Sequence, residues 1–225
     1  MRMADLGDLR LQYQLDGDPE GSPLVLIHAL GTDLRLWDKL VPLLPRGLRI
    51  LRFSLRGHGL SDAPPAPYAM GALVRDAERL MDHLRITDAV IVGLSIGGMI
   101  AQGLAVKRLD LVRGLVLSNT AAKIGTTEIW HDRIARIEAG GIEAVADATM
   151  DRWFAPAFRA TAEARGYAAP PFTCLWGLHH QWGYAWTDDG HRFRQCCRCG
   201  LDDPRSGGTR PNPSVAGIII TGPPQ

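Results

Sequence analysis

Short apolar runs alternate with longer amphipathic segments over the first half of the chain. Strict alternation of apolar and polar residues predicts a half-buried strand at Leu9–Leu15. A continuous apolar run predicts a buried strand at Pro23–His28, and β-branched residues predict another at Ala89–Leu94. Leu48–Leu55 and Leu111–Leu117 are further strand candidates. Apolar residues at helical spacing predict helices at Leu34–Leu44, Met70–Leu84 and Ile96–Val106. Buried strands separated by helices favour an α/β fold with a mostly parallel, doubly wound sheet.

The pattern changes after Asn119. Amphipathic stretches at Thr126–Met150 and Asp151–Phe158 predict helices with no strand between them. We interpret them as a helical insertion that lies over the sheet. The predicted division is therefore a core at residues 1–122, a helical cap at 123–164 and an atypical tail at 165–225.

Composition narrows the class of protein. Of the 225 residues, 46% are hydrophobic and 22% charged, which is typical of a globular protein. The net charge of +1 and the lack of a basic stripe argue against a nucleic-acid partner. The apolar runs are too short to cross a membrane, and Met1–Gly17 shows no signal peptide, so we expect a cytoplasmic protein. The sequence does not indicate an oligomeric state.

One pentapeptide indicates a catalytic nucleophile. Gly93–Gly97 has the pattern G-x-S-x-G, between the predicted strand that ends at Leu94 and the helix that begins after Ser95. A serine on such a sharp strand-to-helix turn projects its hydroxyl above the sheet, where it acts as a nucleophile. Glycine-rich turns produce this pentapeptide by chance as well, but the strand–turn–helix context favours Ser95 as the nucleophile.

Two further turns agree with this interpretation. The residues after the strand at Pro23–His28 suit an oxyanion hole, in which the backbone N–H groups of Leu30 and Ile96 would hold a developing negative charge. We interpret His28 as a structural histidine at a strand end. In the turn Arg56–Ser61, we expect Arg56 and His58 to brace the connection rather than to catalyse.

These features resemble the α/β-hydrolase superfamily. Within it, five segments are similar to bacterial 3-oxoadipate enol-lactonases, namely HALGTDLRLW (28–37), RGHGLS (56–61), GLSIGG (93–98), LSNTAAKIG (117–125) and RWFAPAF (152–158). The resemblance extends to about Ala164. It departs from the family pattern at Ala29, where many relatives have glycine or another small residue, and at Ser54, which is often aspartate.

The resemblance implies a reaction. Such enzymes open the lactone ring of 3-oxoadipate enol-lactone through a serine acyl-enzyme, in the β-ketoadipate pathway of aromatic catabolism, with no cofactor or metal. The substrate carries a free carboxylate, for which Arg133 and Arg136 on the cap are available, although solvated arginines are the ordinary alternative. Trp130 either lines the pocket or simply packs.

The catalytic triad is incomplete in the sequence. In this superfamily an acid and then a histidine follow the serine along the chain, but neither family motif occurs after Ala164. The residues that remain are Asp188, Asp189, Asp202 and Asp203 for the acid and His179, His180 and His191 for the base. None of them follows a credible strand. The apolar run Val215–Thr221 could form one, but the chain ends a few residues later, so the acid and the base stay unassigned.

The tail permits three interpretations. Residues 166–225 contain no Glu and no Lys but all four cysteines, and the hypothesis we favour is an out-of-frame translation of a GC-rich gene. A zinc module around Cys196, Cys197, Cys199 and His191 is an alternative, although one C-x-x-C gives an incomplete ligand set. The third is a hydrolase-like binding protein without catalysis.

Another small-substrate serine esterase or perhydrolase of the superfamily remains an alternative to the lactonase.

The tail also bears on stability. If the C-terminal part of the sheet is missing, the strand at Leu111–Leu117 becomes an exposed apolar edge.

Overall fold

A computed structural model describes residues 2–157, residue 160 and the backbone of two short strands further along the chain. Its main feature is a six-stranded sheet of order β1-β2-β4-β3-β5-β6. β1 and β2 are antiparallel to their neighbours, and β3, β4, β5 and β6 run parallel to one another. The strands are β1 (Arg2–Asp5), β2 (Arg10–Gly17), β3 (Ser22–Ile27), β4 (Leu48–Phe53), β5 (Ala89–Leu94) and β6 (Val112–Ser118).

One α-helix connects β4 to β5, a second connects β5 to β6, and two more follow β6. The α-helices are α1 (Met70–His83), α2 (Ile96–Lys107), α3 (Thr127–Gly140) and α4 (Ala146–Trp153). The predicted α/β architecture is thereby confirmed. The strand β1 was missed, because its four residues bury only Ala4 and offer no period to detect.

Two clusters of apolar side chains lie on the two faces of the sheet. On one face α1 and α2 pack against alternate residues of the central strands, such as Val25 and Ile27 of β3. The intervening residues Leu24 and Leu26 point to the opposite face, where they pack with Trp37. This alternation explains why these strands read as continuous apolar runs.

The helix predicted at Leu34–Leu44 is wrong. The structure has two 3₁₀ turns instead, Leu34–Trp37 and Val41–Leu43. Pro42 lies at the start of the second turn and has no backbone N–H to donate to the residue four positions earlier, so an α-helix cannot run through it. The helix predicted at Thr126–Met150 is likewise divided, because Gly141 adopts φ +70° between α3 and a 3₁₀ turn at Ile142–Val145.

The two remaining strands, β7 (Trp182–Trp186) and β8 (Arg192–Cys196), form a separate antiparallel pair that the sequence did not predict. The run Val215–Thr221 lies outside the described residues. Within the described part of the chain, β6 is an edge of the six-stranded sheet. No helix in that part is both long enough and apolar enough to cross a membrane.

Candidate active site

Ser95 occupies a one-residue turn between β5 and α2. Its backbone has φ +55° and ψ −117°, a conformation that a residue with a side chain rarely adopts. The side chain is half-buried. Strained backbone of this kind persists only where the surroundings enforce it, and it is concentrated at functional sites.

Close backbone contacts require the glycines around Ser95. A Cβ atom on Gly93 would lie 2.4 Å from the carbonyl oxygen of Gly97, and one on Gly97 would lie 2.3 Å from that of Ile27. Both distances are shorter than any real Cβ contact. The turn therefore forms only with glycine at these two positions, and α2 begins directly against the end of β3.

Hydrogen bonds hold the backbone of Ser95 and leave its side chain unengaged. The Ser95 carbonyl accepts from the N–H groups of Gly98 and Met99, at 2.9 and 3.3 Å, and from the hydroxyl of Thr120 at 2.6 Å. The Ser95 N–H donates to Ser118. Within residues 2–157 the Ser95 hydroxyl has no hydrogen-bond partner, so it is available to a substrate.

Two amides near the Ser95 turn lack acceptors in the part of the chain that the structure describes. The N–H of Ile96, the first residue of α2, and the N–H of Leu30 donate to no group among the described residues. Ile27 pairs with Gly93 across β3 and β5, so the loop that begins at His28 lies next to the Ser95 turn. The N-terminus of α2 adds positive potential at the same place. These amides are the two that the sequence predicted for an oxyanion hole.

The Ala29 carbonyl fixes the direction of the Leu30 amide. This oxygen accepts from the Thr32 N–H at 3.2 Å, from the Thr32 hydroxyl at 2.8 Å and from Nδ1 of His28 at 2.7 Å. In a planar trans peptide the C=O and N–H groups point in opposite directions. Three donors on Ala29 therefore aim the Leu30 N–H away from His28 and Thr32. Sequence reasoning missed Thr32, because no periodicity signals its contact.

Two buried histidines connect this loop to the segment after β4. Nε2 of His28 accepts the N–H of Leu55 at 2.9 Å, and Nε2 of His58 accepts the N–H of Gly31 at 3.1 Å. Their ring centroids are 5.2 Å apart. Burial, aided by the neighbouring His58, lowers the pKa of His28 to about 3, and burial also lowers the pKa of His58. Both rings are therefore neutral at physiological pH, as structural histidines are.

Arg56 and Ser54 have structural contacts as well. The Arg56 guanidinium forms two hydrogen bonds, 2.6 and 2.7 Å long, with the buried carboxylate of Asp76 on α1. The Ser54 hydroxyl, at a position that is often aspartate in relatives, donates to the Gln12 side chain at 2.9 Å. These contacts agree with a bracing role and place neither side chain in the chemistry.

The start of α3 carries Trp130 and Arg133. The Trp130 indole N–H donates to the Ile124 carbonyl at 2.8 Å, which attaches α3 to the segment that begins near Thr120. The Arg133 guanidinium lies 5.8 Å from the centre of the Trp130 ring. Burial, and secondarily the charge of Arg152, lowers the pKa of Arg133. Arg133 has no ion-pair partner within residues 2–157.

Arg136, the second arginine considered from the sequence, differs from Arg133. It forms an exposed ion pair with Asp132 at 3.0 Å, one helical turn away. A solvated pair of this kind is an ordinary helix-surface contact. Arg133 is thus the better candidate for binding an anion.

The predicted acid and base cannot be placed. His179, His180, His191 and the aspartates at 188, 189, 202 and 203 all lie outside the described residues, as do Cys197 and Cys199 of the zinc hypothesis. No three His, Cys, Asp or Glu side chains in the described part of the chain are grouped as metal ligands would be.

An apolar groove of about 440 Å³ lies elsewhere in the molecule. It is lined by Leu24, Leu26, Val90, Val92 and Val116, on the sheet face opposite α1 and α2, with further residues from the amino-terminal ends of the strands. Ser95 lies beyond the carboxyl end of β5, so this groove is separate from the candidate active site.

Comparisons with known proteins agree with this geometry. Residues 22–162, more than half of the chain, match the family described as alpha/beta hydrolase fold. 3-Oxoadipate enol-lactonase 2 of Acinetobacter baylyi is 32% identical over 151 residues, which are 67% of this chain and 57% of the relative. 3-Oxoadipate enol-lactonase 1 of the same organism is 33% identical over 149 residues, or 66% of this chain and 55% of the relative.

A solved structure shows the same similarity. The crystal structure of the enol-lactonase from Burkholderia xenovorans LB400 superposes with a TM-score of 0.71 at 34% identity, and the match covers 79% of this chain and 66% of that one. The chain spans little more than half the length of the curated relatives it matches.

Proposed function

The chain belongs to the α/β-hydrolase family, and we propose that it is a serine hydrolase that opens 3-oxoadipate enol-lactone to 3-oxoadipate, with Ser95 as the nucleophile. The observation that carries the proposal is the Ser95 turn, in which a strained backbone presents a hydroxyl that has no hydrogen-bond partner among the described residues, near two amides that lack acceptors in the same part of the chain. This combination matches the needs of acyl transfer.

The reaction proceeds in two halves. The Ser95 hydroxyl attacks the lactone carbonyl carbon, its proton passes to a general base, and the N–H groups of Leu30 and Ile96 hold the oxyanion. Collapse of the tetrahedral intermediate breaks the ring C–O bond, and the protonated base gives its proton to the leaving oxygen. The resulting enol stays attached through the acyl group and tautomerises to the ketone. A water molecule, deprotonated by the same base, then cleaves the ester to Ser95. Removing one oxyanion-hole donor raises such a barrier by about 3–4 kcal/mol.

No histidine or carboxylate among the described residues hydrogen-bonds the Ser95 hydroxyl, so the general base stays unassigned. The candidates that the sequence offers after Ala164 are His179, His180 and His191, with an aspartate at 188, 189, 202 or 203 to orient the ring. Without a base, a serine hydrolase retains only the contribution of its oxyanion hole and binding contacts.

Charge on the cap supports a carboxylate-bearing substrate. Arg133 is half-buried, is repelled by Arg152 and has no ion-pair partner among the described residues, so an anion would relieve an unbalanced charge there. Trp130 holds the guanidinium from one side and, in this proposal, lines the pocket. The names of two similar proteins support 3-oxoadipate enol-lactone as the substrate, and the β-ketoadipate pathway is the context that the family resemblance implies.

The test uses the full 225-residue chain. Hydrolysis of 3-oxoadipate enol-lactone is followed by its ultraviolet absorbance, beside p-nitrophenyl acetate and butyrate, with Ser95→Ala as the matched control. The expected result is a kcat/KM for the lactone well above those for the aryl esters, and loss of both activities in S95A. A preference for the aryl esters would identify an esterase instead.

Labelling separates the remaining alternative. A fluorophosphonate probe should modify wild-type protein at Ser95 and leave S95A unlabelled, since labelling requires an activated hydroxyl. If neither protein is labelled and neither turns over a substrate, the hydrolase proposal is wrong for this chain, as both the out-of-frame tail and the hydrolase-like binding protein would have it.

A further inference from the structure

The loop that carries Leu30 is held by hydrogen bonds at two consecutive peptide groups, the first within the loop and the second to another segment. The Ala29–Leu30 peptide is held through the Ala29 carbonyl, as described above. The next peptide, Leu30–Gly31, is held through the Gly31 N–H, which donates to Nε2 of His58 at 3.1 Å. His58 lies 27 residues further along the chain, in the turn after β4.

The contacts of His58 define which nitrogen carries its proton. Nδ1 lies 2.9 Å from the Arg56 carbonyl oxygen, which only accepts, and Nε2 faces the Gly31 N–H, which only donates. His58 is therefore neutral with its proton on Nδ1. Burial lowers its pKa, with Asp33 as an opposing charge, so this form persists below the usual range of histidine.

The turn that holds His58 is itself well fixed. The His58 N–H donates to Leu55 at 3.0 Å, the Ser61 N–H donates to the His58 carbonyl at 3.0 Å, and the Gly57 N–H donates to Asp62 at 2.9 Å. The ring thus projects from a rigid base. A small displacement of an oxyanion-hole donor is enough to slow catalysis strongly.

We propose that His58 is a positioning residue for the oxyanion hole, because its Nε2 atom fixes the Leu30–Gly31 peptide and with it the amide that Leu30 presents to the transition state. The inference rests on the proposed function of Ser95 and Leu30. It assigns His58 no contact with the substrate.

Two polar variants separate this role from a packing role. In His58→Gln the side-chain carbonyl reaches the place of Nε2 and still accepts the Gly31 N–H. In His58→Asn the side-chain amide reaches only the place of Nδ1, so it keeps the Arg56 contact and loses Gly31. Exposed His83 at the end of α1 provides the control His83→Asn.

For wild type and each variant we would measure kcat, KM and the melting temperature, using the substrate for which wild-type protein has the highest kcat/KM. We expect H58N to lower kcat about tenfold or more with little change in KM, and H58Q and H83N to remain within about threefold of wild type. Equal kcat values for H58N and H58Q at similar melting temperatures would overturn the proposal.

A second readout does not depend on turnover. The Gly31 amide should exchange its hydrogen at least about tenfold faster in H58N than in wild type and H58Q, because its acceptor is gone. Protection of Gly31 that is unchanged in H58N would also overturn the proposal. If wild-type protein fails to react with the fluorophosphonate probe, the proposed function fails, whereas the Gly31 exchange still decides whether His58 fixes this loop.

Discussion

The hydroxyl of Thr120 donates a hydrogen bond of 2.6 Å to the carbonyl oxygen of Ser95. The two residues are 25 positions apart, and the contact joins the turn after β5 to the segment after β6. Thr120 also occupies the space beside Gly98, where a Cβ atom would lie 2.5 Å from its methyl group. The Ser95 turn is therefore supported from both adjacent parallel strands, β3 through Gly97 and β6 through Thr120.

Replacing Thr120 should loosen this turn. Thr120→Val keeps the shape of the side chain and removes the donor, so we expect the free energy of unfolding to fall by about 1 kcal/mol and the rate of fluorophosphonate labelling to fall severalfold. Thr120→Ser retains the hydroxyl and should behave like wild type. Urea unfolding and labelling kinetics measure the two effects, and equal labelling rates in T120V and T120S would contradict this account.

Gly97 should tolerate no side chain. Gly97→Ala places a methyl group 2.3 Å from the Ile27 carbonyl oxygen, which belongs to the backbone of the central strand β3 and cannot move aside. We expect a loss of about 2–4 kcal/mol in the free energy of unfolding. The control is Gly71→Ala in the first turn of α1, where nothing lies within 4 Å of the new Cβ. It should stabilise the protein by about 0.5–1 kcal/mol.

The sequence predicted the fold well where burial follows a period. The strand Ala89–Leu94 was predicted with the bounds it has, because a continuous apolar run ends there at a glycine-flanked serine. Leu34–Leu44 was predicted as a helix from its apolar spacing alone. Pro42 within this segment indicates a break, and the structure has one there.

The hydrogen bonds that position the Ser95 turn and the Leu30 loop join residues that are far apart in the sequence. Thr120 with Ser95, and His58 with Gly31, join residues more than 20 positions apart, and their proximity depends on the order of strands in the sheet. Periodicity does not encode that order. The sequence could therefore indicate Ser95, Leu30 and Ile96 from their local turns, but could not indicate the neighbours that hold them.

Arg133 should contribute to binding rather than to chemistry. Arg133→Met keeps an unbranched side chain against Trp130 and removes the charge, so we expect KM for a carboxylate-bearing lactone to rise about tenfold or more with kcat little changed. A neutral aryl ester should be unaffected. Arg136→Met, which breaks only the exposed pair with Asp132, is the matched control. Equal KM values in the two variants would remove Arg133 from the proposed substrate site.

His28 should make the protein sensitive to mild acid. Its pKa is about 3 in the folded protein and about 6.5 in the unfolded chain, so the unfolded chain binds the proton first as the pH falls. The contribution of His28 to the free energy of unfolding is complete above pH ~6.5 and is lost progressively as the pH falls towards ~3. By pH ~4.5 the loss is about 2–3 kcal/mol.

His28→Gln tests this dependence. The glutamine retains an acceptor for the Leu55 N–H and does not titrate. Urea unfolding between pH 7.5 and 4.5 should give a flatter dependence for H28Q than for wild type. Parallel curves would show that His28 is not the group that titrates.

Val116 on β6 should promote self-association through the sheet face that carries the apolar groove. Its side chain is 51% exposed and lines the apolar groove together with Val90 and Val92, and β6 is the edge of the sheet in the described part of the chain. An exposed apolar strand at an edge favours association. Val116→Lys places a charge there, and an exposed site of this kind should change the free energy of unfolding by no more than about 0.5 kcal/mol.

We therefore expect V116K to bind less of an apolar fluorescent dye and to scatter less light on concentration than wild type, at an equal melting temperature. Val106→Lys is the control, because Val106 is 87% exposed at the end of α2 and lies away from the groove. It should leave both signals unchanged, since it adds the same charge without touching the groove. A V116K variant that loses several kcal/mol of stability would contradict this prediction, because only a Val116 side chain that is covered in solution would make the lysine so unfavourable.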